Sequence, residues 1–330
     1  MLKHWNHDEM AALRAMRARF LERTAGETDY WHSLSEIELY DRTFGARIGW
    51  KINAALRAAQ VAGWSPRTTR LLDWGCGSGV ASRCLIEAWP RKISRLALHD
   101  RSIHSRQYAE QCAGRAFPNL TIERTDRVDG ETLVVLSHVI SELNDAALAE
   151  LLTKLRAAAG IVWIEAGTHA DSRRLIQVRE ALRDIFGVVA PCTHQARCGM
   201  LVPVNARHWC HHFAQPPTEI FQDAAWAEWS REMEIDLRSL PYSYLILERE
   251  TGACPDLQGA SRIIGTPREA KGYCRILSCQ HSGVEEWMLQ KRDDAGLFKR
   301  VLKHPEQPPY RWERRDGKIV GGTELENVKE

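Results

Sequence analysis

Cys192, Cys198 and Cys210 fall within nineteen residues, in Ala190-Pro-Cys192-Thr-His-Gln-Ala-Arg-Cys198 and His208-Trp-Cys210-His-His212, and no other stretch of the chain is as rich in soft ligands. Thiolates flanked by imidazoles suit Zn²⁺ or an iron–sulfur centre, and a four-coordinate site needs one more ligand. Cys254, Cys274, Cys279, His194, His208, His211 and His212 are the candidates for it. Paired Cys-x-x-Cys knuckles, the stronger zinc signature, are absent. The alternative is a set of buried structural thiols, because cysteine also serves as a small core residue.

A second chemical feature lies upstream. Asp73-Trp-Gly75-Cys-Gly77-Ser-Gly79 follows an apolar run and precedes a helical pattern, the place where open α/β sheets bind ligands. Glycines there let the backbone turn tightly and approach a ligand closely. A phosphate-gripping loop needs Gly-Lys-Ser/Thr, which is missing, and a dinucleotide fingerprint needs glycine where Val80 stands. What remains, an acid followed by Gly-x-Gly-x-Gly, is the pattern of S-adenosylmethionine (SAM) methyltransferases. A second acid is then expected to end the next strand and receive the ribose hydroxyls, and Asp100 stands there. Asp126 follows the third strand, near where the adenine is expected, and Ser137-His138 ends the fourth, where methyl acceptors arrive. That fourth strand carries Ser137-His-Val-Ile-Ser-Glu142 instead of an Asp/Asn-Pro-Pro-aromatic motif, so no catalytic residue is assigned.

These residues need elements to hold them. Apolar positions at Met10, Leu13, Met16, Phe20 and Leu21 predict a helix over 8–24, and the capping-box pattern Ser33-Leu-Ser-Glu36 opens a second helical stretch to about Ala62. Strands are then predicted at 71–74, 96–98, 120–122, 133–136 and 161–164, with helices at 80–88, 105–114, 145–158 and 172–186 between them. This alternation predicts an α/β fold, a Rossmann-like SAM methyltransferase domain with a mostly parallel, doubly wound sheet. Further on, 221–229 reads as a Trp-rich helix and 242–247 as a strand. Strand-like runs at 262–264, 273–277, 286–289 and 298–302 either close the main sheet or form a small β module. The expected division is a helical region over 1–65, a SAM-binding domain over 66–189, and a cysteine-ligated metal-cluster and β region over 190–330.

The formal net charge of +2 gives no global electrostatic case for nucleic acid. Locally, residues 289–315 hold eight Lys or Arg against four acids, interleaved with Phe298, Tyr310 and Trp312. Cations mixed with rings suit RNA, where guanidinium groups meet phosphates and rings stack on unpaired bases. A solvated surface with buried anchors is the competing explanation. No apolar run approaches the ~18 residues of a membrane span, and no secretory signal is seen. A cytoplasmic monomer without membrane association is therefore expected, whose nine cysteines, an odd number, stay as thiols or metal ligands.

Glu165-Ala-Gly-Thr168, the helix with Arg173 and Arg179, Val189-Ala-Pro-Cys192-Thr-His194, Cys198, Trp209-Cys210-His211 and Tyr242-Ser-Tyr-Leu245 form one further pattern. Together they resemble the Rsm-type mitochondrial small-ribosomal-subunit methyltransferase-like family and its bacterial relatives, from about Leu71 to Lys303. The resemblance implies a [4Fe–4S] cluster on Cys192, Cys198, Cys210 and one distant cysteine, matched by Cys279, with Cys274 in reserve. It also implies a SAM cofactor and action on the small ribosomal subunit through its rRNA, by methylation or as a non-catalytic assembly factor. A zinc-stabilised methyltransferase of small molecules is the remaining alternative. The chain departs from the family pattern at Ala166 and His169, where Glu-Pro-Gly-Thr-Pro is common, and at Gly199, where proline commonly follows the second cysteine.

Overall fold

The structure, a computed structural model, describes residues 5–22, 31–249, 257, 259–303 and 306–325. In chain order the elements begin with α1 (His7–Glu22), α2 (Leu34–Tyr40), α3 (Ala46–Val61), β1 (Arg70–Trp74), α4 (Val80–Ala88), β2 (Arg95–His99) and α5 (Ile103–Ala116). There follow β3 (Thr121–Glu123), β4 (Thr132–Ser137), α6 (Asp145–Leu155), β5 (Gly160–Ala166), α7 (His169–Leu182) and β6 (Gly187–Ala190). Next come β7 (His212–Ala214), α8 (Ala224–Glu232), β8 (Leu240–Glu248), β9 (Ser261–Ile263), β10 (Arg268–Ala270), β11 (Tyr273–Gln280) and β12 (Gly283–Gln290). The last are α9 (Ala295–Lys303), β13 (Pro309–Arg315) and β14 (Lys318–Glu324). Contacts group the described residues into two compact units, one from Met1–Asn53, Pro66–Ala159 and Gln215–Leu240, the other from Ala54–Ser65, Gly160–Ala214 and Pro241–Glu330.

In the first unit the strands run parallel in the order β3-β2-β1-β4, with Leu72 of β1 beside Ala97 on one side and Val134 on the other. Leu71 and Leu72 are fully buried, which is why this run reads as uniformly apolar rather than alternating. The order reverses at β1, so the carboxyl ends of β1 and β4 flank the crevice where ligands bind in such sheets. Leu13 and Met16 of α1 pack with Ile37, Phe44 and, from α8, Trp226 and Trp229 in a separate helical core. Ser33 caps α2 by accepting the Glu36 N–H at 3.2 Å, while Glu36 accepts the His32 N–H at 3.0 Å, the capping box expected from the sequence. The second helical stretch is interrupted by a π turn over Asp41–Gly45, where the Thr43 hydroxyl donates to the Leu39 carbonyl at 2.7 Å. A side chain that binds a carbonyl of the preceding turn competes with the helical ladder, and π turns gather at functional sites.

In the second unit β8 runs antiparallel to both β5 and β6. The C-terminal strands form their own sheet instead of extending the one that holds β8. Residues 298–302 belong to the helix α9, not to a strand: Leu297, Phe298 and Val301 are its buried positions, and that spacing is helical. β13 and β14, unforeseen from sequence, complete the sheet. β11 pairs antiparallel with β12 and with β9–β10, β12 pairs parallel with β14, and β13 pairs antiparallel with β14 and with β9. The sheet therefore closes on itself. With β9–β10 taken as the first strand, neighbours are first–second, second–third, third–fifth, fifth–fourth and fourth–first, with a helix between third and fourth, the connectivity of an OB-fold barrel. Its interior is filled by Ile263, Cys274, Ile276, Leu289, Tyr310 and Ile319. Among the described residues no helix is long and apolar enough to cross a membrane.

Candidate functional site

Between β1 and α4 the chain needs three left-handed residues, and Gly75, Gly77 and Gly79 supply them with φ of 71°, 51° and 74°. Gly75 and Gly79 are also sterically compelled, since a Cβ would lie 2.6 Å from Val139 Cγ1 or 2.8 Å from Ala109 Cβ. A Cβ on Gly77 would meet nothing within 4 Å, so the space above the middle of the turn is open. Asp100, at the end of β2, accepts the Gly77 and Ser102 N–H groups, each at 2.9 Å. Burial raises its carboxyl above the ordinary range although those two bonds oppose the shift. Asp73 lies beneath the turn and accepts from the Ser82 hydroxyl at 2.6 Å and the Ser82 N–H at 3.2 Å. Burial pushes it up to about 7, and its Oδ1 has no hydrogen-bond partner.

The turn is held from the helical region as well. Arg83 of α4 donates to the Ser78 carbonyl at 2.6 Å and to both oxygens of Asp41, in the π turn, at 2.7 and 2.8 Å. Asp126 lies farther out. It is exposed and accepts from Lys154 at 3.2 Å, which lowers its pKa, and Lys154 in turn sits 4.9 Å from the centre of the Trp74 ring. The Trp74 and His99 rings pack 4.2 Å apart at the ends of β1 and β2. Ser137 ends β4, with its Oγ 3.2 Å from His138 Nδ1. From sequence, His138 is placed with Ser137 at this strand end but given no role. It has φ of 58°, a strained value for a side-chain-bearing residue of the kind that collects at functional sites. Burial, and then the nearby charges of Lys51 and Arg47, hold its imidazole well below the usual pKa and hence neutral.

The second unit brings Cys192, Cys198, Cys210 and Cys279 to one cavity of about 30 Å³, otherwise lined mainly by apolar residues such as Leu175, Ile176, Met200 and Ile264. Two arginines of α7 gather the cysteine segment. Arg179 donates to the carbonyls of Ala196 at 2.8 Å and His194 at 3.3 Å; Arg173 donates to those of Met200, His208 and Asn205 at 3.0, 3.1 and 3.3 Å. Cys198 donates its N–H to Glu180 at 3.1 Å. The Cys210 carbonyl accepts from Ser172 and, at 2.7 Å, from Ser243 of β8. Trp209 donates to the Gly167 carbonyl at 2.8 Å, and a Cβ on Gly167 would lie 2.7 Å from the backbone of Pro241–Tyr242. Gly199 explains one departure from the family pattern: a Cβ there would lie 2.8 Å from Val284 N, so the segment lies backbone to backbone on the β11–β12 hairpin.

β11 settles which of its two cysteines can face the cavity. Cys274 and Cys279 are five residues apart, so they project to opposite faces of the strand. Cys274 is fully buried inside the barrel, whereas Cys279 lines the cavity. Cys254 lies outside the described residues. Burial raises the Cys198 thiol to about 11, and raises Cys210 and Cys279 as well, with the neighbouring thiolates adding to the effect. These three thiols are therefore protonated at neutral pH unless a cation binds them. His194 Nε2 is 3.6 Å from Cys279 Sγ and His212 Nε2 is 3.7 Å from Cys210 Sγ, with burial lowering both imidazoles, His194 to about 4. His208 and His211 are also shifted down by burial. Among the described residues no three His, Cys, Asp or Glu side chains are spaced to bind a single metal ion. Of the rings of 289–315, Phe298 and Tyr310 are core residues, and the half-buried Trp312 packs on that core and donates to Ser278 at 3.1 Å.

No curated protein matches the chain. Among solved structures, it is similar to the plantazolicin methyltransferase BpumL in complex with SAH, at 10% identity and a TM-score of 0.41 over 73% of this chain and 99% of that one. It is likewise similar to BamL, the plantazolicin methyltransferase solved with a triazolic desmethylPZN analog and SAH, at 12% identity and a TM-score of 0.40 over 73% and 99%. The precorrin-6y C5,15-methyltransferase from Geobacter metallireducens GS-15 is 13% identical, with a TM-score of 0.36 over 59% and 87%. At these scores none of the three bears on function. The family comparison does: residues 51–304, spanning the glycine turn and all four cavity cysteines, match the description "Mitochondrial small ribosomal subunit Rsm22", and the chain belongs to that family.

Proposed function

We propose that the chain is a methyltransferase-like protein that binds SAM through residues 66–189, holds a [4Fe–4S] cluster on Cys192, Cys198, Cys210 and Cys279, and acts on the small ribosomal subunit through its rRNA. The observation that carries the SAM assignment is the half-buried Asp100 carboxylate, held 2.9 Å from the Gly77 N–H beneath the open space above that glycine. SAM, when bound, supplies an electrophilic methyl group. The chain's part is to fit it. Gly77 leaves room beside the backbone, Asp100 can exchange its bonds to Gly77 and Ser102 for ribose hydroxyls, and Arg83 with Asp41 keeps the turn in place. Ser137 and the neutral His138 stand at the end of β4, where an acceptor would arrive. Calorimetry tests this directly: a purified chain that takes up no SAM refutes the assignment.

The cavity's donors fit an iron–sulfur cluster better than one zinc ion. Four thiols around a cubane bind four separate irons, one each, whereas a single zinc ion would draw all four to one centre. Arg179 borders the same cavity as the buried cation that an anionic, four-thiolate cluster calls for. The cluster, when bound, cross-links the segment after β6 to the barrel strand β11. The second reading, a non-catalytic assembly factor, is favoured by the absence of an acid or an Asn-Pro-Pro motif at the end of β4. Transfer of labelled methyl groups from SAM to small-subunit rRNA would decide for the enzyme.

A further inference from the structure

We infer that the C-terminal barrel is a binding module for single-stranded RNA, and that its binding face is the half of the β11–β12 surface left free by the cysteine segment. This deepens the ribosomal reading and rests on it for the choice of RNA. OB-fold barrels take oligonucleotides across their second and third strands, between the loops joining strands one to two and four to five. Here those strands are β11 and β12. Their inward residues Cys274, Ile276 and Leu289 are fully buried, so Tyr273, Arg275, Leu277 and Cys279 face outward, beside Gln290, Met288, Glu286 and Val284 in register. The outward surface has two halves. Leu277, Cys279 and Val284 pack with Ile176, Cys198 and Met200 in the cysteine region. Tyr273, Arg275, Met288 and Gln290 remain accessible.

Register places the flanking loops at the free end. Lys291 donates its N–H to the Gly272 carbonyl at 3.0 Å, so the β10–β11 turn adjoins the end of β12, and Lys318, which opens β14, lies beside Met288. Lys271 in the first turn and Arg315 and Lys318 around the β13–β14 turn make no ion pair among the described residues, and Lys271 and Arg315 are exposed. On the face itself Glu286 pairs with both Arg268 and Arg275, which leaves one positive charge in surplus. Unpaired cations on both rims suit phosphates, and Tyr273 between them offers a ring to a base. Oligosaccharides, the other class of OB-fold ligand, give such cations nothing to neutralise. The cysteine centre is thus the wall of the groove: with its segment unseated, the apolar half of the face would be exposed.

Fluorescence anisotropy of the full chain with a labelled oligouridylate of about 12 nucleotides, within the ~4–16 that one OB fold spans, tests this. Lys271→Glu/Arg315→Glu/Lys318→Glu is expected to weaken binding by at least ~10-fold and to lower the log–log salt slope by about 2, three single-strand phosphate contacts at ~0.7 each. Tyr273→Ala should cost about tenfold by loss of one stacked base. Lys299→Glu/Lys303→Glu on the exposed side of α9 should change binding by less than about twofold. Thermal unfolding and SAM calorimetry on the same variants should match the parent chain. A triple variant that binds like the parent, a duplex that binds as tightly as the single strand, or polyglutamate that competes as well as RNA would each overturn the inference. Because RNA and SAM are measured separately, a chain that binds RNA here but takes up no SAM would sink the cofactor assignment and leave this one standing.

Discussion

The glycine turn draws its parts from residues 73 to 100, on two adjacent parallel strands, whereas the cysteine cavity collects side chains from positions 172 to 279. The turn is held by backbone geometry: three glycines with positive φ, and an acid that binds an N–H of the turn. The cavity is held by clamps on a loop, with two arginines of one helix gripping five carbonyls and a strand from the barrel adding the fourth thiol. A site of the first kind should be most sensitive where an added side chain would collide, at Gly75 and Gly79. A site of the second kind depends on each convergent group, because no local conformation replaces it.

The largest contrast is expected within β11. Cys279→Ser should lose the bound iron entirely, whereas Cys274→Ser, on the opposite face, should keep it and lose stability by roughly 1–3 kcal/mol from a buried hydroxyl. Equal iron in the two variants would mean that the cavity is not the metal site. In the turn, Gly75→Ala faces both a φ of 71° and a contact of 2.6 Å with Val139, so SAM affinity should fall by about tenfold or more and stability by roughly 2 kcal/mol. Gly77→Ala has room for its Cβ and should lose only about 1 kcal/mol for its left-handed backbone. Calorimetry and urea melts on the pair would show whether sterics or conformation governs the turn.

Acidity separates the regions further. Asp73 has a folded pKa of about 7 against an ordinary value of 3.8, so between these the folded chain holds a proton that the unfolded chain has released. Stability from this group therefore falls as pH rises through that window. Asp73→Asn should remove the fall, becoming more stable relative to the parent by roughly 3 kcal/mol between about pH 4 and pH 7. Urea midpoints at the two ends of the window would measure it, and a constant difference would show that Asp73 is ionised in the fold. The smallest effect on stability is expected from Asp100→Asn, which can still accept from Gly77, while SAM binding should weaken by about tenfold through loss of charge-assisted bonds.

What could be read from the chain follows the same divide. The turn was legible because its residues are adjacent or one strand apart, and the β1–α4–β2–α5 alternation placed Asp100 without any knowledge of distant packing. The three clustered cysteines stood out for the same reason, and the structure brings them to one cavity. Cys279 was reached by resemblance, although the spacing of five between it and Cys274 already put the two on opposite faces once the strand was accepted. His138 was placed with Ser137 at the end of the fourth strand, but its positive φ carried no sequence signal, since surroundings impose it on a histidine. The packing of the basic, aromatic tail was not legible because Phe298 lies on a helix read as a strand and Tyr310 on a strand whose partner, β14, was not foreseen. Tyr310 fills the barrel and Trp312 packs half-buried against it, while the half-buried Tyr273 lies outside the segment that drew attention.

Iron, sulfide and zinc content of the anaerobically purified full chain tests the central claim most directly. The four-thiol cavity predicts about four iron and four sulfide per chain, with a brown colour from thiolate-to-iron absorption, and no zinc. One zinc per chain without sulfide, or a colourless protein with no metal, would contradict it.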